Sequence, residues 1–473
     1  MKAKMLRYGT PLVLALGLLL VAANRLPAAE LPARPNILVI LCDDLGYGDI
    51  GCFGHPRIKT PHLDKLAAEG IKLTSCYASA PVCSASRAGL MTGRTPTRIG
   101  IYDWIPNNHP MHLTKDEISV ATLLKQAGYR TCHVGKWHLN GKFNQPEQPQ
   151  PGEHGFDHWM STQNNAGPSH HNPRNFVRNG KRVGPQEGYA CQLVVDEAIR
   201  WLESGKDAKE PFFQFVCFHE PHEPIASPPD LVESYSDVSP REKAEHHANI
   251  TNMDRAVGRL LAKLNELKLA ENTLVLFTSD NGPETLKRYP NAARSHGSPG
   301  DLRAMKLWLY EGGIRVPGIV RWPAAKHGSQ TIDEPVSNVD LLPTFCELAG
   351  IAPPRDRVLD GASFASLLRG EAKVQRTTPL YWHYIHALGA PRAALREGDW
   401  MILGKWKAGT PQTLAASKKA QLVEFELYNL RADLSQQHDL AAKEPEQLAR
   451  LREQLLKKYA EVQAAGPVWE AAK

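Results

Sequence analysis

The sequence predicts an α/β fold, a large mixed sheet flanked by helices, followed by a smaller C-terminal α+β domain with an antiparallel sheet. Three observations predict it. Continuous apolar runs at 37–41, 211–218 and 273–278 read as strands buried on both faces. Amphipathic stretches alternate with them, as at 241–267, where Ile250, Met253, Val257, Leu260, Leu261 and Leu264 form one helical stripe. Near Gly370 the pattern turns to short strands separated by polar turns. The 473 residues have room for both units, placed at 33–370 and 371–473.

Residues 1–29 carry Lys2, Lys4 and Arg7, then the apolar run 11–23 and small residues around Ala28-Ala29. This is the layout of a secretory signal peptide, and the run is too short to cross a bilayer comfortably. The expectation is an exported chain, periplasmic or secreted (lysosome-like if eukaryotic), with no stable membrane span after cleavage. Without that peptide the formal charge of +6 falls to about +2, with 52 basic residues against 50 acidic ones. A polyanionic substrate therefore calls for a local basic pocket. No nucleic-acid motif and no internal repeat is present. Eight cysteines show no close-paired framework, and one disulfide through Cys52 or Cys76 stays open.

In chain order, the strand at 37–41 stops at Cys42-Asp43-Asp44-Leu45-Gly46, so two carboxylates emerge at its C-terminal edge. The pair is a turn with a helix cap or, since adjacent acids cost stability without a cation, a hard-cation site. Thr60-Pro61 opens a helix that Gly70 closes. The run 71–77 leads to Pro81-Val82-Cys83-Ser84-Ala85-Ser86-Arg87, where a helix opens at Cys83. Backbone N–H groups there favour an anion, and Arg87 adds a cation one turn on. By position alone the thiol is a nucleophile, a metal ligand or a small buried residue. A helix at 115–127 feeds a strand at 129–134 that breaks at Gly135-Lys136-Trp137-His138, turning Lys136 and His138 to one side. Residues 140–188, rich in Gln, Asn, Pro, His and Gly, read as a long surface excursion in which His170 and His171 could touch a glycan.

The helix 189–203 and the strand 211–218 deliver His219-Glu220-Pro221-His222. The strand 273–278 ends in Ser279-Asp280-Asn281, and these oxygens with Asp43 and Asp44 suit Ca²⁺ or Mg²⁺. Lys306 and Tyr310-Glu311-Gly312-Gly313-Ile314-Arg315-Val316-Pro317 precede a strand at 318–322, then helices at 340–350 and 360–368. Strands are expected at 379–384, 393–396, 400–403 and 424–428, and a closing helix at 445–462. His383, His386 and Arg392 lie where the smaller domain could border a pocket.

Cys83-x-Ala85-Ser86-Arg87, with Thr92-Gly93 after four more residues, resembles the type I sulfatase signature, in which the cysteine is oxidised to Cα-formylglycine. The family accepts Ala at the third place, where Pro is commoner. Gly135-Lys136-Trp137-His138 and Glu311-Gly312-Gly313-x-Arg315-Val316-Pro317 match further motifs of the family, so the resemblance spans almost the whole mature chain. It implies an alkaline-phosphatase-like sandwich and an arylsulfatase or N-acetylgalactosamine-6-sulfatase-like enzyme. It also implies that Asp43, Asp44, Asp280, Asn281 and the modified Cys83 hold Ca²⁺, with Mg²⁺ possible. A gem-diol at position 83 would be the nucleophile, oriented by Arg87; Lys136 and Lys306 would bind sulfate oxygens. His222, with His219 nearby, would face the leaving group, and His138 would release the sulfate. The implied partners are a sulfated saccharide or aryl sulfate and a formylglycine-generating enzyme. A phosphodiesterase or phosphonate hydrolase of the same superfamily and a non-catalytic secreted glycan-binding protein are the alternatives.

Overall fold

The computed structural model describes residues 31–326, 328–407, 411 and 413–469; the expected signal peptide at 1–29 lies outside them. Along the chain come β1 (Asn36–Asp43), α1 (Pro61–Ala68), β2 (Ile71–Tyr77), α2 (Cys83–Thr92), α3 (Val120–Gln126) and β3 (Arg130–Lys136). An excursion adds β4 (His158–Thr162) and the small hairpin β5 (Val177–Arg178) and β6 (Lys181–Arg182). Then follow α4 (Ala190–Ser204), β7 (Phe212–Pro221), α5 (Pro229–Glu233), α6 (Arg241–Glu266) and β8 (Thr273–Ser279). Next are α7 (Glu311–Ile314), β9 (Arg315–Arg321), β10 (Gln330–Ile332), β11 (Val336–Ser337), α8 (Leu341–Ala349) and α9 (Ala365–Leu368). The last part holds β12 (Leu380–His383), β13 (Pro391–Glu397), β14 (Trp400–Trp406), α10 (Leu414–Ser417), β15 (Leu422–Asn429) and α11 (Pro445–Ala464).

Eleven strands pair in the order β10-β2-β9-β8-β1-β7-β3-β4-β5-β6, with β11 also on β2. The inner strands β8, β1, β7, β3 and β4 run parallel, while β9 and β5 join antiparallel, giving a mixed sheet. β1 shows why the middle is apolar on both sides. Ile37, Val39 and Leu41 enter one core cluster, and Leu38, Ile40 and Cys42 enter the other. α1, α4 and α6 cover the second face; α2, α3 and α8 cover the first.

A separate antiparallel sheet, β12-β13-β14-β15, continues the first cluster, with α11 packed on it through Leu451, Leu455, Tyr459 and Val462. Trp382 donates to the Ala78 carbonyl at 2.8 Å, and Tyr384 to Asp103 Oδ1 at 2.8 Å, so the smaller unit is anchored beside the large sheet.

Several local expectations change. The helix expected at 115–127 is realised only as α3, because Ser119 caps it by accepting the Thr122 N–H at 3.0 Å while 114–117 forms a turn. The excursion at 140–188 is not wholly irregular: β4 pairs with β3 and extends the sheet, a strand too short and too mixed in sequence to stand out. The helix expected at 360–368 shrinks to α9, since Asp360 is engaged in a charge network instead. All eight cysteines are free, which closes the question of a disulfide at Cys52 or Cys76.

Asp360 joins the two units. Its carboxylate accepts from the Thr95 N–H at 2.7 Å, from Arg98 at 3.0 Å and from Lys458 of α11 at 2.6 Å, at 8% exposure. Burial pushes its pKa up, but Arg98 and Lys458 win and hold it at about 2. A depressed carboxylate stabilises the fold above its unfolded value, here 3.8, and that contribution is lost as pH falls through about 2. Asp360→Asn should cost about 3 kcal/mol at neutral pH by removing the buried carboxylate from two buried cations, which keep only the partly exposed Glu461. In urea unfolding, the wild-type advantage should stay constant from pH 7 to near the unfolded value and shrink below it; a pH-independent gap would show that the charge is not responsible.

Candidate active site

Four adjacent parallel strands end at one edge of the sheet, and each delivers polar side chains there. β1 ends at Asp43, followed by Asp44 in left-handed backbone (φ 63°); β8 is followed by Asp280 and Asn281; β3 ends at Lys136; β7 leads to His222. Gly135 makes the arrangement possible. Its φ is +99°, and a Cβ there would sit 1.8 Å from the Cys217 carbonyl oxygen, so only glycine lets β3 lie against β7 and carry Lys136 to Asp43. Across this edge α2 opens at Cys83, and all ten of its residues are buried.

The edge is a dense set of buried charges. Lys136 Nζ lies 2.5 Å from Asp43 Oδ2, Lys306 Nζ 2.7 Å from Asp44 Oδ1, and Arg87 donates to Asp280 Oδ2 at 2.8 Å and to the Lys136 carbonyl at 2.8 Å. Asn281 Nδ2 donates to Asp44 Oδ1 at 2.7 Å. Burial pushes all three carboxyls up. At Asp43 the cations, Lys136 foremost, prevail and hold it well below the usual range. At Asp44 burial outweighs Lys306 and the value rises to about 6; at Asp280 it outweighs Arg87 and the value rises to about 7. Two carboxylates are thus under-compensated. In addition, the buried acceptors Asp43 Oδ1 and Asn281 Oδ1 have no hydrogen-bond partner. Ligand atoms of Asp43, Asp44, Cys83 and His222 lie within 4.8 Å of one another. A carboxylate oxygen and an amide oxygen that lack donors, beside under-compensated carboxyls, fit a hard divalent cation.

Above this floor is a pocket of about 480 Å³ that includes Cys83, His138, His222 and Lys306 in its wall. Burial raises the Cys83 thiol against the pull of Lys136 and Lys306, so the unmodified side chain stays protonated and is not an activated thiolate. His138 Nε2 faces the Ile105 carbonyl at 3.1 Å; a carbonyl only accepts, so Nε2 carries the proton and the buried Nδ1 is a free lone pair. Burial, then Lys136 and Arg87, keep that ring neutral. His222 is the mirror case. Its Nδ1–H donates to the Glu223 carbonyl, leaving Nε2 3.6 Å from Asp44 Oδ2, and burial lowers its pKa to about 3.

Not every residue singled out in the sequence reaches the pocket. His219 is sealed behind the wall, its Nε2 against Thr162 Oγ1 at 2.8 Å and its ring edge-on to Phe176, because the chain turns only after Pro221 and brings His222 forward instead. His170 is buried against Asn249, and His171 stacks on Tyr189. His383 packs on Tyr459 and Arg392 over Trp406, both away from the site, whereas His386 lies in the wall, bonded to Asp103 at 2.6 Å. Arg315 is structural, tied to Glu311 at 3.0 Å and the Thr74 carbonyl at 2.7 Å. The sequence reading missed Glu284. It lies 3.6 Å from Lys306 and is bonded by Arg288, and although burial raises it, Lys306 and Arg288 hold it at about 2. Its place four residues beyond Asp280 was the available signal. Trp104, Asn164, Asn165 and Tyr289 also line the wall and come from loops without a local signature.

The profile of the sulfatase family matches residues 35–351. The chain is 34% identical over 390 residues to the N-acetylgalactosamine-6-sulfatase of Canis lupus familiaris, covering 77% of this chain and 72% of that protein. It is 33% identical over 456 residues to the steryl-sulfatase of Rattus norvegicus, covering 79% and 76%. Among solved structures, Ps i-CgsB in complex with k-i-k-neocarrahexaose superposes with a TM-score of 0.78 at 27% identity, over 91% of this chain and 93% of that one. The PsFucS1 sulfatase from Pseudoalteromonas sp. gives 0.76 at 25% identity, over 93% and 92%. With its signature cysteine at the head of a buried helix, facing two lysines across an acidic strand edge, the chain belongs to the sulfatase family, enzymes that hydrolyse sulfate esters.

Proposed function

We propose that this sulfatase is exported, periplasmic or secreted, and removes sulfate from a sulfated carbohydrate, using a formylglycine made from Cys83 by a formylglycine-generating enzyme and a bound Ca²⁺, for which Mg²⁺ can substitute. One observation carries the reading: Cys83, Lys306 and two histidines of opposite tautomer share one pocket wall, over an acidic set with unpartnered oxygens. When present, the formylglycine supplies a hydrated-aldehyde oxygen as nucleophile, and the cation supplies positive charge beside it.

The chain's own groups do the rest. Lys136 and Lys306, fixed by Asp43 and by Asp44 and Glu284, offer ammonium groups to the sulfate oxygens, as a transferring anionic group requires. Arg87, clamped between Asp280 and the Lys136 carbonyl, keeps α2 and the strand edge in register. His222 presents Nε2 to the pocket; an arriving sulfate raises its proton affinity, and the protonated ring then gives that proton to the leaving sugar oxygen. His138 offers the lone pair on Nδ1 to take up a proton as sulfate departs. Exposed Trp104 and the amides of Asn164 and Asn165 favour a sugar, and the names of two relatives point the same way.

In a host that converts sulfatases, mass spectrometry of the peptide containing Cys83 should find an aldehyde in place of the thiol. Cys83→Ala should abolish turnover and leave the unfolding transition in place; substantial residual activity would sink the assignment. Exhaustive chelation should lower both activity and melting temperature, and added Ca²⁺ should restore both in a concentration-dependent way. Activity that survives in metal-free buffer would overturn the cation reading.

Leaving-group dependence separates the roles. His222→Ala should lose on the order of 10²-fold with a sulfated sugar and markedly less with nitrophenyl sulfate, whose leaving group needs little protonation. Lys136→Ala and Lys306→Ala should depress both substrates about equally. Equal losses for His222→Ala would move the acid role to another group.

A further inference from the structure

A second cleft, of about 450 Å³, adjoins the catalytic pocket, and Asn164 and Asn165 line both. The strip between them is firmly held. Thr162 Oγ1 donates to the Asn164 carbonyl at 2.6 Å, Asn175 Nδ2 to the Asn165 carbonyl at 2.8 Å, and the His138 N–H to the Gln163 carbonyl at 2.7 Å. Gln163 Nε2 donates at 3.0 Å to the Ile105 carbonyl, the group that also fixes the His138 ring. The side-chain oxygens of Asn164 and Asn165 are screened from solvent and have no hydrogen-bond partner.

The rest of the lining has one chemical character. Asn107, Asn144 and Gln145 add amides, and Phe143, set edge-on against Trp159 at 5.7 Å, adds an aromatic face. Arg174 and Arg182 add two exposed guanidinium groups that form no ion pair among the described residues. Amides and an aromatic surface suit hydroxyl-rich rings, and unpaired guanidinium groups suit sulfate or carboxylate.

We propose that this cleft is a subsite for a further sugar of the same glycan, one whose sulfate or carboxylate is bound by Arg174 and Arg182, so that the substrate is an anionic oligosaccharide rather than an isolated sulfated monosaccharide or a sulfated sterol. The inference rests on the carbohydrate reading of the adjoining pocket. A single-ring substrate bound in that pocket leaves the second cleft without a ligand. An oligosaccharide crosses the Asn164-Asn165 strip, the two residues that line both clefts.

The test uses Arg174→Ala/Arg182→Ala, two surface changes, made both in the active enzyme and in full-length Cys83→Ala. The probes are chondroitin 6-sulfate tetrasaccharide, ι-carrageenan tetrasaccharide and N-acetylgalactosamine 6-sulfate; affinity is read by calorimetry on the Cys83→Ala chain and kcat/KM on the active one. The double change should weaken binding of at least one tetrasaccharide on the order of tenfold, with the monosaccharide unaffected. The difference should shrink at high salt. Unchanged tetrasaccharide affinity, an equal loss on the monosaccharide, or no tetrasaccharide binding by the Cys83→Ala parent overturns the subsite. If the arginines matter for binding but the active enzyme hydrolyses no probe, the subsite stands and the hydrolase reading of the neighbouring pocket falls.

Discussion

Three carboxylates and three cations are buried together at the C-terminal edge of β1, β8 and β3, and everything around them is arranged to make that tolerable. Burying any one of these charges alone would cost several kcal/mol. Lys136 foremost holds Asp43 in its charged form, whereas Asp44 and Asp280 keep raised proton affinities despite Lys306 and Arg87. Burial therefore leaves Asp44 and Asp280 under-compensated although the charges balance in number, and the edge is an electrostatic socket suited to an added positive charge. The apolar clusters on both faces of β1 supply the rigidity that keeps like charges this close.

The parts of the site that follow a buried strand were legible in the sequence, because an unbroken apolar run that stops at Asp43, at Ser279-Asp280 or at His219 marks both a strand and the edge where its polar residues emerge. Alternation alone could not decide between His219 and His222, since the turn after Pro221 lies outside any strand pattern. β4 stayed hidden because five residues within a polar excursion carry little periodic signal, yet its C-terminal end builds the strip that separates the two clefts. The wall around Trp104 and Tyr384 was equally invisible, being assembled from segments roughly 280 residues apart by contacts such as Tyr384 to Asp103. Such pairings are set by tertiary packing, which local pattern does not encode.

The smaller unit is more than a lid on the core. Its β12 shares the first core cluster with α2 and α8, and the chain beyond it carries Tyr384 and His386 to Asp103 on the pocket wall. At the far end of the same unit, α11 reaches Arg98 and Asp360 through Lys458. The chemistry at the strand edge and the shape of the pocket mouth are thus built by different parts of the chain, so the mouth can vary without disturbing the socket.

The complete burial of α2 bears on the modification proposed for Cys83. Cys83 is 2% exposed and heads a helix with no exposed residue, packed against α8 in the first core cluster. Any enzyme that acted on Cys83 in the finished protein would have to pull a buried helix out of the core. If Cys83 is modified as proposed above, the modification belongs to the interval before the sheet closes over α2, and the fraction of active molecules becomes a matter of timing between two competing processes rather than of affinity.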